Sequence, residues 1–264
     1  MVTGNKFKQK FQFLIGLIVF LCMGNILFSD RFEKRVYANA EGNELPYRLI
    51  KPKTHDKKEK YPLVILLHGI GERGDDNEAQ LKWGAKEFVT EENMEKYPCF
   101  LAIPQCPISD FWASALRDLS KDFKMSEEPT QALIMVLELV IALQDEFPRV
   151  DPDRLYITGL SMGGFGTWEA IQRKPDLFAA AVPICGGGDV SQAARLTKLP
   201  IWIFHGGEDQ LVNPKWSRDM FEAIKKAGGN PKYTEYPNVG HHSWIPAYSD
   251  PELFEWLFSQ KKNP

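Results

Sequence analysis

From Tyr61 onward, short apolar runs alternate with segments of helical period, and this alternation admits few folds. Residues 62–67 form a continuous apolar run, as expected of a strand buried on both faces. Residues 100–104, 155–158, 179–184 and 201–204 read as further strands, and 233–236 as a shorter sixth at a sheet edge. Between them, residues 131–147 place Leu133, Val136, Leu137, Val140 and Ile141 at helical spacing. Residues 163–174 predict a second helix, stopped before Pro175, and 190–196 a short one. Residues 214–227 start with Pro and end at Gly228-Gly229, the usual asymmetry of helix ends. Residues 251–259 close the chain with Leu253, Phe254, Trp256, Leu257 and Phe258 for docking. Strands alternating with helices imply an α/β protein, with a mostly parallel sheet covered on both faces. Upstream, Val36-Tyr37 and residues 45–49 read as two strands around a turn at Glu41-Gly42-Asn43.

Composition narrows the class. The chain has 264 residues, 44% of them hydrophobic, which excludes disorder as its main state. Four cysteines are too few for a disulfide scaffold. A net charge of −3 lacks the basic footprint of a nucleic-acid partner. Only one long apolar run exists, residues 11–28, which excludes a multi-span membrane protein.

That run follows Lys6, Lys8 and Lys10, the form of an export signal. It is also nearly long enough to span a bilayer, which needs about 20 residues. Residues 1–30 are therefore a signal peptide or an N-terminal membrane anchor, and 31–264 a single catalytic domain. The positive-inside rule leaves the lysines in the cytosol and the remainder outside, periplasmic or extracellular. Membrane contact is expected only through this segment. Ala38-Asn39-Ala40 resembles a cleavage site, but the charged stretch 30–35 precedes it, and cleavage would remove half of the expected hairpin. Without residues 1–30 the net charge becomes −5, and Cys99, Cys106 and Cys185 remain. Cys99 and Cys106 flank an extended strand and stand too far apart to pair. A Cys106–Cys185 disulfide and three free thiols are both open.

The chemistry sits at strand ends. Gly159-Leu160-Ser161-Met162-Gly163 is G-x-S-x-G between a strand and a helix, the context that motif demands. A sharp turn holds the serine, so small residues must flank it. A nucleophilic serine needs a base, and the base an orienting acid. His241 follows the sixth strand in Asn238-Val239-Gly240-His241-His242, with His242 as the alternative base. Asp209 follows the fifth in His205-Gly206-Gly207-Glu208-Asp209, with Glu208 as the alternative acid. Parallel strands bring these loops to one sheet edge. Asp176 and Asp189 lie on other elements and read as caps. A tetrahedral intermediate needs N–H donors. Met162, directly after the serine, supplies one, and the turn His68-Gly69-Ile70-Gly71 the other, through Ile70 or Gly71. His68 reads as a tie for that turn.

Four segments carry a resemblance: LLHGIGERG at 66–74, VDPDRLYITGLSMGGFGTW at 150–168, IFHGGED at 203–209 and VGHHSW at 239–244. Over residues 32–260 the chain resembles the α/β-hydrolase superfamily, within it the dienelactone-hydrolase, carboxylesterase and feruloyl-esterase-like branch. The resemblance implies an ester or related acyl bond as substrate, on a small molecule or a carbohydrate. It implies no metal and no diffusible cofactor, with Ser161 as nucleophile, His241 as base and Asp209 as orienter. The Gly-Glu-Arg-Gly segment is similar to that of secreted esterases of this branch, making Glu72 and Arg73 candidates for the site wall; a local ion pair is the plainer reading. Only residues 185–200 separate the fourth and fifth strands, too few for a lid domain. The pocket must then come from short loops, with Trp112, in the segment 105–130, and Trp244 as expected walls and Trp168 as core. A peptidase of prolyl-oligopeptidase type and a non-catalytic binding module are the competing readings.

Overall fold

The computed structural model describes residues 28–53, 58–117 and 124–262. The expected export segment, all but Phe28 and the short turn around it, lies outside the described residues. Among them, no helix is long and apolar enough to cross a membrane. Residues Phe32–Pro264 form one compact unit.

Its centre is an eight-stranded sheet of order β1-β2-β4-β3-β5-β6-β7-β8. The strands are β1 (Glu33–Ala38), β2 (Glu44–Ile50), β3 (Tyr61–Leu67), β4 (Phe100–Pro104), β5 (Val150–Leu160), β6 (Ala180–Ile184), β7 (Trp202–Gly206) and β8 (Lys232–Tyr236). β3 through β8 run parallel, while β1 and β2 form an antiparallel hairpin added to β4. The hairpin turn contains Gly42 at φ 82°, a conformation that costs glycine little. Asn39 Oδ1 accepts from the N–H groups of Glu41 and Asn43, which closes the turn. As expected, β8 is an edge strand.

Among the described residues, seven α-helices follow in chain order: α1 (Ala85–Phe88), α2 (Glu91–Lys96), α3 (Gln131–Glu146), α4 (Met162–Arg173), α5 (Lys215–Lys226), α6 (Trp244–Tyr248) and α7 (Pro251–Ser259). The period of two along β3 divides the core. Leu63, Ile65 and Leu67 join Leu133, Val136 and Val140 of α3, Trp168 and Ile171 of α4, and Met220 and Ile224 of α5. Residues of the other register meet α7: Tyr156 packs edge-on against Phe258, and Trp202 against Trp256. Burial on both faces is why β3 reads as unbroken apolar sequence.

The predicted helices 131–147, 163–174, 214–227 and 251–259 correspond to α3, α4, α5 and α7, and residues 190–196 form a 3-10 helix. Two expectations change. β5 is much longer than residues 155–158, since Val150 also pairs with Tyr61 beyond a register shift. The short α1, α2 and α6 were not legible, because a single turn shows no periodicity. Cys99, Cys106 and Cys185 are all free, so the Cys106–Cys185 pairing is not formed. Asp189 caps residues 190–196 by accepting from Ser191 N–H, as expected, whereas Asp176 lies in the turn after α4.

Candidate active site

Ser161 occupies the turn between β5 and α4 at φ 53° and ψ −117°. A non-glycine residue pays about 1–3 kcal/mol for such a conformation, so neighbours must hold it. Ser161 N–H donates to Ile184 O at 3.0 Å, and Ser161 O accepts from Phe165 N–H at 3.1 Å. The flanking glycines are sterically required. A Cβ at Gly163 would stand 2.0 Å from Leu67 O, and one at Gly159 2.4 Å from Gly163 O. One at Gly164 would stand 2.3 Å from Ile184 O.

His241 reaches this turn from the loop after β8. Its Nε2 lies 2.9 Å from Ser161 Oγ and its Nδ1 2.7 Å from Asp209 Oδ2. Asp209 is buried beyond β7, and its Oδ1 accepts from the N–H groups of Leu211 and Val212, both at 2.9 Å. The carboxylate therefore has its orientation set by backbone donors before it meets the ring. Facing an acceptor, Nδ1 carries the ring hydrogen, and Nε2 presents its lone pair to the serine. Such a hydroxyl can pass its proton to the ring as its oxygen attacks a carbonyl.

Of the two adjacent histidines, His241 is thus the one in the chain. His242 turns to Trp244 and Trp83, with ring centroids 4.8 and 6.2 Å away. Of the two acids, Asp209 rather than Glu208 contacts the ring. A further residue joins them. His205 Nε2 lies 3.3 Å from Asp209 Oδ2 and donates to Val212 O at 3.0 Å, while Nδ1 pairs with Ser217 Oγ at 2.7 Å. Burial lowers the pKa of His205. The ring braces the Asp209 loop from below. Its place on β7, four residues before Asp209, was the signal for it in the sequence.

The donor side is built from residues 68–73. His68 Nδ1 donates to Gly69 O at 2.6 Å and Nε2 accepts from Cys106 N–H at 2.9 Å, which ties this turn to the end of β4. Ile70 opens a single 3-10 turn, Ile70–Glu72, and Met162 opens α4. First-turn N–H groups have no acceptor within their own helix. A Cβ at Gly69 would stand 3.8 Å from Ser161 Cβ and 3.0 Å from Glu72 Oε2, so this turn lies against the serine.

The wall residues need correction. Trp112 is fully buried, and its indole N–H donates to His68 O at 3.2 Å. It packs edge-on against His68 with centroids 5.2 Å apart, under the turn rather than open to a ligand. Trp244 is also buried and stands edge-on to His241 at 5.3 Å, so it sets the ring's position. Glu72 is buried too, with Lys82 at 3.7 Å, and burial raises its pKa. Arg73 does not pair with Glu72. It lies over the Phe111 ring at 4.8 Å and donates through Nη1 to Ile108 O and Asp110 O. Half-buried Trp83, which contacts both His242 and Trp244, was missed because it comes from a short turn with no pattern. Trp168 is core, as expected.

Four exposed large apolar side chains lie on segments that follow strand ends or the base in sequence: Ile70 after β3, Ile108 after β4, Leu211 after β7 and Ile245 after His241. A groove of about 560 Å³, lined in part by Glu128, Ile134, Ile141, Arg173 and Arg195, includes none of the site residues. Among the described residues, one group of metal-ligating side chains has its ligand atoms within 4.8 Å of one another: Cys185, Asp209 and His241.

Residues 53–250 match the phospholipase/carboxylesterase family. A solved structure described as a thermostable esterase is 42% identical, with a TM-score of 0.83, over 89% of this chain and 64% of that one. An endo-1,4-beta-xylanase/feruloyl esterase of Xylanibacter ruminicola is 29% identical over 65% of this chain, which spans only 23% of that relative's length. An acyl-protein thioesterase 1 homologue of Dictyostelium discoideum is 24% identical over 68% of this chain and 85% of its own.

Proposed function

Because this chain belongs to the phospholipase/carboxylesterase family, we propose that it hydrolyses carboxylic esters, with Ser161 as nucleophile, His241 as general base and Asp209 as orienting carboxylate. The observation that carries the reading is the continuous chain from Ser161 Oγ to His241 to Asp209, at 2.9 and 2.7 Å.

His241 Nε2 takes the hydroxyl proton as Ser161 Oγ bonds to the ester carbon. The carbonyl oxygen becomes an oxyanion, held by the N–H groups of Met162 and Ile70. As the intermediate collapses, the ester C–O bond breaks and the imidazolium returns its proton to the departing alcohol. Water then attacks the acyl-enzyme, giving its proton to Nε2, which passes it to Ser161 Oγ as the C–Oγ bond breaks and the acid is released. Asp209 keeps the hydrogen on Nδ1 and stabilises the transient positive charge.

The exposed apolar side chains Ile70, Ile108, Leu211 and Ile245, on segments after strand ends or after His241, support an ester with an apolar or aromatic group. The resemblance to a xylanase/feruloyl esterase supports a carbohydrate-linked ester. Export rests on Lys6, Lys8 and Lys10 before the apolar residues 11–28. The pairing of β1 with β2 supports a boundary before Glu33, since cleavage after Ala40 would strip an edge strand from the sheet.

The test is hydrolysis of p-nitrophenyl acetate and a panel of acetyl and feruloyl sugars by wild type and Ser161→Ala. Loss of activity with Ser161→Ala is expected; activity equal to wild type would sink the assignment.

A further inference from the structure

We propose that Cys185, Asp209 and His241 together form a site for a thiophilic divalent cation, Zn²⁺ or Cd²⁺, whose occupation switches the hydrolase off. The switching rests on the proposed role of His241, while the binding does not.

Cys185 follows β6 at φ 40°, a strained conformation for a side-chain-bearing residue. Its N–H donates to Phe204 O at 2.8 Å, which holds the turn against β7 and the Asp209 loop. The thiol is completely buried. Its sulfur, an Asp209 carboxylate oxygen and a His241 ring nitrogen lie within 4.8 Å of one another. Tetrahedral zinc bonds sulfur at about 2.3 Å and nitrogen or oxygen at about 2.0–2.2 Å, so its ligand atoms stand about 3.3–3.7 Å apart. Closing three donors onto one ion therefore takes side-chain shifts of about an ångström. A second observation points to the same place. The Ser243 hydroxyl beside the thiol is buried without a hydrogen-bond partner, and burial pushes the thiol pKa up to about 12, so an ion must displace its proton to bind.

The donor set selects the ion. A thiolate and an imidazole favour zinc and its heavier congener, whereas magnesium and calcium need a shell of hard oxygens. Entry is through the ring, since the His241 side chain is 14% exposed while that of Asp209 is fully covered. Binding breaks the S–H bond and sends that proton to solvent. Coordination through His241 Nδ1 moves the ring hydrogen to Nε2, which then faces Ser161 as a donor. Coordination through Nε2 consumes the lone pair outright. Either way the ring no longer accepts the serine proton. Cys99 and Cys106 belong to no such group among the described residues.

The experiment titrates the full chain with Zn²⁺ and Cd²⁺, with Mg²⁺ as control. It follows p-nitrophenyl acetate hydrolysis and the ultraviolet charge-transfer band of a cadmium–thiolate bond. Expected are inhibition reversed by chelator, a cadmium–thiolate band, and no effect of Mg²⁺. In Cys185→Ser, measured against its own metal-free rate, the inhibiting concentration rises about tenfold or more and the band disappears. Should Cys185→Ser fail to fold, the Cys22→Ser/Cys99→Ser/Cys106→Ser protein keeps Cys185 as its one thiol, and the band must persist there. Equal inhibition of Cys185→Ser, absence of the band in wild type, or its loss in the triple variant overturns the proposal. The band in Ser161→Ala reads the site even if Ser161 is not the nucleophile, so failure of either assignment is visible separately.

Discussion

His68 and His241 both stand beyond the carboxyl end of a strand, and each ring makes two hydrogen bonds. His68 meets only backbone, Gly69 O on one side and Cys106 N–H on the other. Those partners keep a single neutral tautomer and never change protonation. Burial pushes its pKa down to about 4, so the ring serves as a fixed strut under the turn that carries Ile70. His241 meets a carboxylate and a hydroxyl instead, and its side chain reaches solvent. A ring between an acceptor and a removable proton can cycle its charge. The same side chain is a brace in one place and a base in the other, because its partners differ.

Mutations can break or sharpen this contrast. The largest expected effect is on His241: His241→Ala should lower kcat by on the order of 10⁴–10⁶ with folding intact, checked by steady-state kinetics and thermal melting. Asp209→Asn comes next, with a loss on the order of 10⁴ in kcat, because the amide no longer enforces the reactive tautomer. A loss below tenfold would show that His205 and the Leu211 and Val212 amides do not orient the ring through this carboxylate.

His68 should respond through stability. The unfolded ring binds a proton near its ordinary pKa of 6.5 and the folded one only near 4. The unfolded state therefore holds more protons between these values, so stability rises with pH through that window and is lost as pH falls across it. The size is about 3 kcal/mol. Melting temperature against pH should show the fall in wild type and a shallower one in His68→Asn. The smallest effect belongs to His242, outside the chain: His242→Ala should change kcat/KM by less than about fivefold, within about 1 kcal/mol. A thousandfold loss would transfer the role of base to it.

Much of this protein was legible in the order of its residues. Unbroken apolar runs marked β3 and β4 because both faces of those strands are covered, and the helical spacing of Leu133, Val136 and Val140 marked α3 because one face is. Gly159, Gly163 and Gly164 marked a turn that no Cβ fits, since backbone carbonyls stand 2.0–2.4 Å from where it would lie. These are local constraints, written in neighbouring residues. The choice of His241 over His242, and of Asp209 over Glu208, was not local. Adjacent residues in a loop have the same composition signal, and only strands brought side by side decide which one meets Ser161. The same holds for Trp112, Trp244 and Glu72, whose types suit a binding wall but whose burial depends on what packs above them. Cys185 beneath the site follows the same rule, because it meets Asp209 and His241 only through the tertiary fold, as His241 meets Asp209 and Ser161, 32 and 80 positions away along the chain.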